Sequence, residues 1–239
     1  ELYFMYATML IAVPTGVKVF NWITTMYRGA LTFETPMLFS IAFVILFTFG
    51  GFTGLMLSVA AADIQYHDTY FVVAHFHYVM VAGAVFSGTA AVYYWLPKWC
   101  GKMYNETMGK IQFWIAFIAF NITFMPQHFL GLAGMPRRYA DYGLQFADWN
   151  MVSSIGAFMY GGAQLLFLFN VVRTITHGQP VSDAKVWEGA DGLEWLVATP
   201  APYHTFTKPP VISAGVKGPE WRVDAPAPAM TFKTAPEAG

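Results

Sequence analysis

Charged residues are scarce in this sequence of 239 residues, because Asp, Glu, Lys and Arg together make up only 11% of it. Soluble domains carry roughly 25%, and a chain of this size has too little interior to hide an apolar fraction of 56% from water. The same composition excludes a disordered chain, which would be poor in apolar residues. The net charge of −1 excludes a nucleic-acid-binding protein, which needs basic residues against phosphates. We therefore expect a membrane protein.

Cysteine is almost absent. Cys100 is the single one, so we expect neither an internal disulfide nor a cysteine metal cluster. The sequence begins at Glu1 without a methionine, a basic region or a cleavage site. We therefore expect no signal peptide and interpret the chain as a piece of a longer protein.

Five apolar stretches separated by short polar breaks make up most of the chain. Each is long enough to cross a hydrocarbon layer of roughly 30 Å at a helical rise of about 1.5 Å per residue. Because lipid offers no water to backbone groups, such segments must be helical. We predict an all-α fold, a polytopic transmembrane bundle of five spanning helices. The predicted spans are Tyr3–Met26, Met37–Ala60, Tyr70–Leu96, Ile111–Leu132 and Trp149–Val172.

The C-terminal part has a different composition. Residues 178–239 contain twelve of the charged residues and nine of the 14 prolines, and they include no apolar run of membrane length. We predict a transmembrane domain at residues 1–173 and an irregular, polar, Pro-rich tail at residues 174–239. The tail is expected to be partly disordered towards Ala235–Gly239.

Basic residues in the polar breaks indicate the orientation of the spans. Those after the first, third and fifth spans share one side, which the positive-inside rule assigns to the cytoplasm or the mitochondrial matrix. The tail is therefore expected on the inner side and Glu1 on the outer side. Arg137 and Arg138, after the fourth span, oppose this trend on the outer side. The basic residues of the inner breaks are Arg28, Lys98, Lys102, Lys110 and Arg173.

Two histidines, His75 and His77, lie inside the third predicted span. Residues two apart on an α-helix point about 200° away from each other, so the two rings cannot chelate one ion but can each reach a separate centre. Neutral imidazole is an axial ligand of haem iron. The alternative is a pair of buried histidines hydrogen-bonded to neighbouring helices. Because polar groups at membrane depth usually serve a function, we favour ligation of a cofactor.

Other polar side chains lie at the outer rim of the predicted bundle. His67 and Asp68 precede the third span, where a carboxylate suits a hard divalent cation, although Asp68 could instead cap the helix. The guanidinium groups of Arg137 and Arg138 match carboxylates, with lipid phosphate as the alternative partner.

Lys18 is the charged residue placed deepest in a span. It lies about nine residues from the inner end of the first span, which corresponds to about 13 Å at helical rise. Thr15 is on the same helix face. The pair could exchange protons through a water chain, or the long lysine side chain could extend to the inner interface.

Several strings of the sequence resemble subunit I of the haem–copper oxidases, specifically of the cytochrome c oxidase branch. The most specific is HDTYFVVAHFHYVM at residues 67–80. The others are IAVPTGVKVFNW at Ile11–Trp22, ETPMLF at Glu34–Phe39, PQHFLGL and GMPRRYADY within Pro126–Tyr142, and LEWL and PYHTF within Leu193–Phe206. The resemblance covers nearly the whole chain except about the last thirty residues. It corresponds to the last five helices of that subunit.

This resemblance implies roles for the motif residues. His75 would be the axial ligand of the high-spin haem that binds oxygen, and His77 an axial ligand of the low-spin haem. His67 and Asp68 would bind magnesium together with a carboxylate from subunit II. Arg137 and Arg138 would hold haem propionates.

Two further assignments follow from the same resemblance. Asp63 is a weaker candidate for a position near a haem propionate. Lys18 and Thr15 would line a proton path from the inner side. The implied cofactors are two haems of A type, copper and magnesium. The copper ligands are expected in helices upstream of Glu1, so no residue of this chain is assigned to copper.

The implied function is electron transfer from cytochrome c through the low-spin haem to a haem–copper site that reduces O2 to water, coupled to proton translocation. The implied partners are oxidase subunits II and III and membrane lipid. The expected location is the bacterial inner membrane, with the mitochondrial inner membrane as the alternative. Three other functions stay open: a quinol oxidase of the same superfamily, a haem-carrying electron-transfer protein without oxygen chemistry, and a proton channel or carrier without a cofactor.

Overall fold

The computed structural model describes residues 2–181, 186–190 and 192–206. Within these residues, five helical segments are long and apolar enough to cross a membrane. This confirms the predicted transmembrane bundle, and the chain is an integral membrane protein. The predicted disorder at Ala235–Gly239 lies outside the described residues. The helices are α1 (Leu2–Met26), α2 (Thr35–Ser58), α3 (Ala60–Tyr66), α4 (Tyr70–Val81), α5 (Ser87–Cys100), α6 (Glu106–Leu132) and α7 (Ala147–His177).

The third span is composite. Helix α4 passes through a π-helical turn, Ala82–Phe86, directly into α5, and together they form one span from Tyr70 to Cys100. Short 3₁₀ turns lie at Leu144–Phe146 and Leu193–Trp195. Two-residue strands β1 (Lys102–Met103) and β2 (Gln179–Pro180) and an isolated bridge between Thr69 and Pro136 are the β structure among the described residues. Since α7 continues to His177, helix extends beyond the predicted domain boundary at residue 173.

The chain divides into two compact units. The first comprises the described residues up to Tyr93 together with Glu106–Asn170, and the second comprises Tyr94–Asn105 with the described residues from Val171 onward.

Helices α2, α4 and α6 form the interior of the first unit. Phe39 of α2 contacts the rings of Phe86 and Phe113 with centroids 5.7 and 5.0 Å apart. At Gly131 of α6, an added Cβ would overlap the backbone of Phe71 on α4. The small residue therefore allows the two helices to approach closely, as is common in membrane bundles. Helix α1 packs on α2 and has no buried residue.

The second unit is organised around the end of α5. Strands β1 and β2 pair antiparallel, with Lys102 opposite Pro180. The ammonium of Lys98 is almost entirely buried, at 3% exposure for the residue, and donates to the carbonyl of Val197 at 2.6 Å and to the hydroxyl of Thr199 at 3.0 Å. It also lies 5.6 Å from the ring centroid of Trp195. These contacts hold the segment that contains Leu193–Trp195 against α5.

Candidate functional site

The N-terminus of α4 is fixed by local hydrogen bonds. The hydroxyl oxygen of Thr69 accepts from the amide of Phe71 at 3.3 Å, so Thr69 caps the helix and the alternative of a cap at Asp68 is wrong. Asp68 has a positive φ of 54°. Its carbonyl accepts from the amide of Arg137 at 2.8 Å, and the amide of Tyr70 donates to the carbonyl of Met135 at 3.0 Å. The start of α4 is thereby joined to the loop that follows α6.

His75 lies one turn into α4 and turns towards α2. Its Nδ1 lies 2.8 Å from the carbonyl oxygen of Gly50 and 3.2 Å from the hydroxyl of Thr53. Because a carbonyl can only accept, this contact assigns the proton to Nδ1 and leaves the lone pair of Nε2 for a ligand. At Gly54, an added Cβ would lie 2.8 Å from Cε1 of His75. The absence of a side chain at Gly54 is therefore what makes room for the ring.

A cavity of about 430 Å³ lies beside this ring. It runs between α1 and α2, and its walls are mainly apolar. The lining includes His75, Thr15, Gly51 and Gly54. An apolar wall with one imidazole whose Nε2 is free fits an axial ligand of a haem. The second nitrogen of a metal-ligating imidazole commonly donates to a carbonyl, which is what Gly50 accepts.

His77 turns towards α6. Its Nδ1 lies 2.7 Å from the carbonyl oxygen of Val73, so the same argument places the proton on Nδ1 and leaves Nε2 free. Its ring stacks on Phe124 of α6, with centroids 4.3 Å apart and planes at 14°. The two imidazoles are thus held by different neighbours, α2 for His75 and α6 for His77. This arrangement offers two separate single-nitrogen ligand sites and fits two haems bound on either side of α4.

The predicted magnesium ligands lie together at the N-terminal end of α4. His67 places Nδ1 3.4 Å from a carboxylate oxygen of Asp63 and Nε2 3.7 Å from one of Asp68. Among the described residues, no group of three or more His, Cys, Asp or Glu side chains has an arrangement that could hold a metal ion. His67 and Asp68 could therefore provide two donors, and the remaining ligands of a hard cation would have to be water or come from another chain.

Arg137 and Arg138 share Asp68 as a partner. A guanidinium nitrogen of Arg138 lies 3.6 Å from the Asp68 carboxylate, and Nε of Arg137 lies 4.0 Å from it. The side chain of Arg137 is 22% exposed, whereas that of Arg138 is 70% exposed. The guanidinium carbon of Arg137 also lies 5.8 Å from the ring centroid of Phe76, which precedes His77. Arg137 therefore places positive charge over the ring of the residue next to His77 in the sequence.

The predicted proton-path residues lie on α1. Thr15 is half-buried, donates its hydroxyl to the carbonyl of Ile11 at 3.0 Å and lines the same cavity as His75. Lys18 is exposed and is not among the described residues that line this cavity. The structure therefore brings Thr15, but not Lys18, to the cavity beside His75.

Sequence reasoning did not find the residues that orient the two imidazoles. Gly50, Thr53 and Gly54 on α2 hold His75, and Phe124 on α6 stacks on His77. Their sequence separation from the histidines removes any local spacing signal. Gly50 and Gly54 are small residues in an apolar span, a pattern that indicates close packing but not which side chain packs there.

Three comparisons relate the chain to known proteins. The sequence model of the family described as "Cytochrome C and Quinol oxidase polypeptide I" matches residues 1–159. Cytochrome c oxidase subunit 1 of Cereibacter sphaeroides is 54% identical over 211 residues, which cover 88% of this chain and 37% of that protein. The subunit 1 of Bacillus sp. strain PS3 is 51% identical over 212 residues, covering 87% of this chain and 34% of that protein.

A solved structure described as a heme-copper terminal oxidase dimer has a similar fold. It matches with a TM-score of 0.56 at 17% identity, over 65% of this chain and 30% of that chain. The chain therefore spans between about a third and two fifths of the length of the curated relatives that it matches.

Proposed function

Because the chain belongs to the cytochrome c and quinol oxidase polypeptide I family, we propose that it is part of the catalytic subunit of a terminal respiratory oxidase. The observation that carries the proposal is the pair of imidazoles on α4. Each has Nδ1 hydrogen-bonded to a carbonyl and Nε2 free, and the rings of His75 and His77 face different helices. The proposal concerns the C-terminal part of the subunit.

In this proposal the two histidines are the haem ligands of the chain. His75, whose ring lies beside the apolar cavity, would hold the high-spin haem, and His77 would hold the low-spin haem. Haems of A type at these positions, with copper, would supply one-electron transfer and the reduction of O2 to water. The hydrogen bonds at Nδ1 hold each ring in one tautomer and keep Nε2 basic. None of the residues of this chain is assigned to copper.

The rim residues would bind the charged parts of the site. Arg137 and Arg138 each have guanidinium donors beyond those that face Asp68, and paired N–H donors suit the carboxylates of haem propionates. Asp63 is a weaker candidate for the same region. His67 and Asp68 would hold magnesium together with a carboxylate of subunit II, since both already lie within 3.7 Å of each other.

Proton uptake and membrane placement complete the proposal. Thr15 lines the cavity beside His75, and the exposed Lys18, one turn further along α1, would extend a proton path from the inner side to Thr15. Electrons would come from cytochrome c, and the chemistry would be coupled to proton translocation. The partners would be oxidase subunits II and III, in the bacterial inner membrane or, alternatively, the mitochondrial inner membrane. The C-terminus would lie on the cytoplasmic or matrix side.

A quinol oxidase is the second candidate, because the description of the matching family covers both electron donors. The partner subunit distinguishes the two, since a two-copper centre in it would accept electrons from cytochrome c and its absence would indicate quinol.

Spectroscopy of the assembled oxidase tests the proposal. The dithionite-reduced complex should show low-spin and high-spin haem, and only the high-spin haem should bind carbon monoxide. His75→Ala should abolish the carbon monoxide adduct, whereas His77→Ala should abolish the low-spin signal. A complex with two low-spin haems and no carbon monoxide adduct would indicate an electron-transfer protein instead. A complex without haem absorption would indicate a channel or carrier.

Lys18→Met tests the proton path separately. The variant should lose most of the oxygen-reducing turnover while both haem spectra remain those of the parent. Thr176→Val is the matched control for a surface change. It removes an exposed hydroxyl that donates a hydrogen bond to the carbonyl of Val172 on the same helix. Parental turnover in the Lys18 variant would remove this residue from the path.

A further inference from the structure

Polar contacts do little to fix the orientation of the His77 ring. Its single hydrogen bond in the described structure runs from Nδ1 to the carbonyl of Val73, one turn earlier on the same helix, at 2.7 Å. This bond holds one edge of the ring. The terminal torsion of a histidine side chain is broad, so one bond at the edge does not define the ring plane.

Two aromatic rings supply the missing restraint. Phe124 of α6 lies nearly parallel to His77, with a centroid distance of 4.3 Å and an interplanar angle of 14°. Phe76 lies 4.5 Å from the His77 ring at 31°. We refer to the rings of Phe76 and Phe124 as the aromatic clamp. Aromatic pairs have preferred relative orientations, and the near-parallel Phe124 ring therefore favours one plane of the imidazole.

Both rings of the clamp are themselves held in place. Phe124 contacts Phe120 at a centroid distance of 5.0 Å, and Phe120 is fully buried. Phe76 lies beneath the guanidinium of Arg137 at 5.8 Å. The aromatic clamp therefore connects α6 and the guanidinium of Arg137 to the imidazole of His77.

His75 is oriented by different means. Its Nδ1 contacts the carbonyl of Gly50 and the hydroxyl of Thr53, and Gly54 leaves room for Cε1. Polar contacts from α2 thus define the orientation of the His75 ring, whereas aromatic stacking defines the orientation of the His77 ring. A change at the clamp should act on one imidazole and spare the other.

We propose that Phe124 is a positioning residue that, with Phe76, sets the plane of the His77 ring and thereby the orientation of the axial ligand of the low-spin haem. This inference rests on the proposed function, because it takes His77 as that ligand. Residues that orient a ligating imidazole without touching the metal commonly tune the properties of the centre. The plane of an axial imidazole determines how the iron d orbitals split, and the electron paramagnetic resonance (EPR) g values of a ferric low-spin haem report that splitting.

The test replaces Phe124 in the assembled, full-length oxidase. Phe124→Leu removes the stacked face, and Phe124→Met is the second variant because a flexible side chain of similar volume fills the space with less risk to assembly. Phe124→Tyr keeps the aromatic face on a half-buried position and is the rescue variant. Phe113→Leu is the matched control, since Phe113 is a buried ring on the same helix that contacts Phe39.

The expected result is a shift and broadening of the low-spin g values in Phe124→Leu and Phe124→Met, because the imidazole samples a range of planes. Phe124→Tyr and Phe113→Leu should retain the parental g values, and the carbon monoxide adduct should be unchanged in all four variants. Parental g values in the assembled Leu or Met variant would overturn the inference.

A parallel His77→Ala variant separates this failure from a failure of the proposed function. If the low-spin signal survives in His77→Ala, then His77 is not the ligand and the proposed function fails at this residue. If that signal is lost while the Phe124 variants keep the parental g values, only the positioning role is wrong.

Discussion

Adding one methyl group at Gly54 should displace the ring of His75. The new Cβ would lie 2.8 Å from Cε1 and 3.5 Å from both ring nitrogens, whereas ordinary contacts begin at 3.4 Å. The ring therefore has to move away from α2 by about 0.6 Å to restore an ordinary van der Waals contact. Because the acceptor Gly50 is on the same helix, this movement stretches the 2.8 Å hydrogen bond from Nδ1. Overpacking costs about 1–3 kcal/mol, and loss of the bond adds about 0.5–1.5 kcal/mol.

This cost should appear as weaker binding of the high-spin haem. A change of 1.4 kcal/mol corresponds to about tenfold in affinity, so Gly54→Ala should weaken the haem site by roughly tenfold or more. The assay is the carbon monoxide difference spectrum of the reduced oxidase, normalised to the low-spin haem. We expect a clear decrease of the adduct signal and a parental low-spin signal.

Gly161→Ala is the matched control. Gly161 lies within α7, is not among the described residues that line this cavity, and an added Cβ there meets nothing within 4 Å. The control should retain the parental carbon monoxide adduct. A parental adduct in Gly54→Ala as well would refute the reasoning, since it would show that the ring of His75 either does not need this space or does not bind the haem.

Two further predictions concern stability and use the purified complex. Lys98→Met should lower the midpoint of thermal unfolding and expose the segment around Trp195 to protease, because hydrogen bonds to charged groups contribute about 1.5–3 kcal/mol each and Lys98 donates to Val197 and Thr199. Lys110→Met is the control: it removes a partly exposed ion pair with Glu106 that contributes at most about 1 kcal/mol, so it should lower the midpoint less and leave that segment protected. A parental midpoint and protease resistance in the Lys98 variant would contradict this role of Lys98. Thr69→Ala should cost about 1 kcal/mol through loss of the cap of α4, measured as a lower unfolding midpoint, and an unchanged midpoint would contradict it.

The spans were predictable because hydropathy is a local property of the sequence. The first prediction, Tyr3–Met26, differs from α1 by one residue. The fourth was less accurate, since α6 begins at Glu106 rather than Ile111. This first turn is polar and is stabilised by contacts that hydropathy does not show. The carboxylate of Glu106 pairs with Lys110 at 3.5 Å and accepts from the amide of Thr35 at 2.7 Å.

The candidate site was only partly predictable, because the contacts that orient its side chains are not local in the sequence. The spacing of His75 and His77 on one helix indicated that their rings point apart, since this follows from helical geometry alone. The partners of the rings could not be predicted. Gly50 lies 25 residues before His75, and Phe124 belongs to another span. A single sequence gives no information on which spans become neighbours, so the orienting contacts required the structure.

The separate support of the two imidazoles leads to a cross-comparison of the Gly54 and Phe124 variants. Both histidines are on α4, so a shift of the whole helix would disturb both haem signals together. If α2 orients His75 and α6 orients His77, Gly54→Ala should affect only the carbon monoxide adduct and Phe124→Leu only the low-spin g values. Because the two sites share no orienting side chain, the double variant should show the sum of the two effects. Joint changes in both single variants would instead mean that α4 moves as a unit, and the contacts described here would then stabilise the helix rather than orient its ligands.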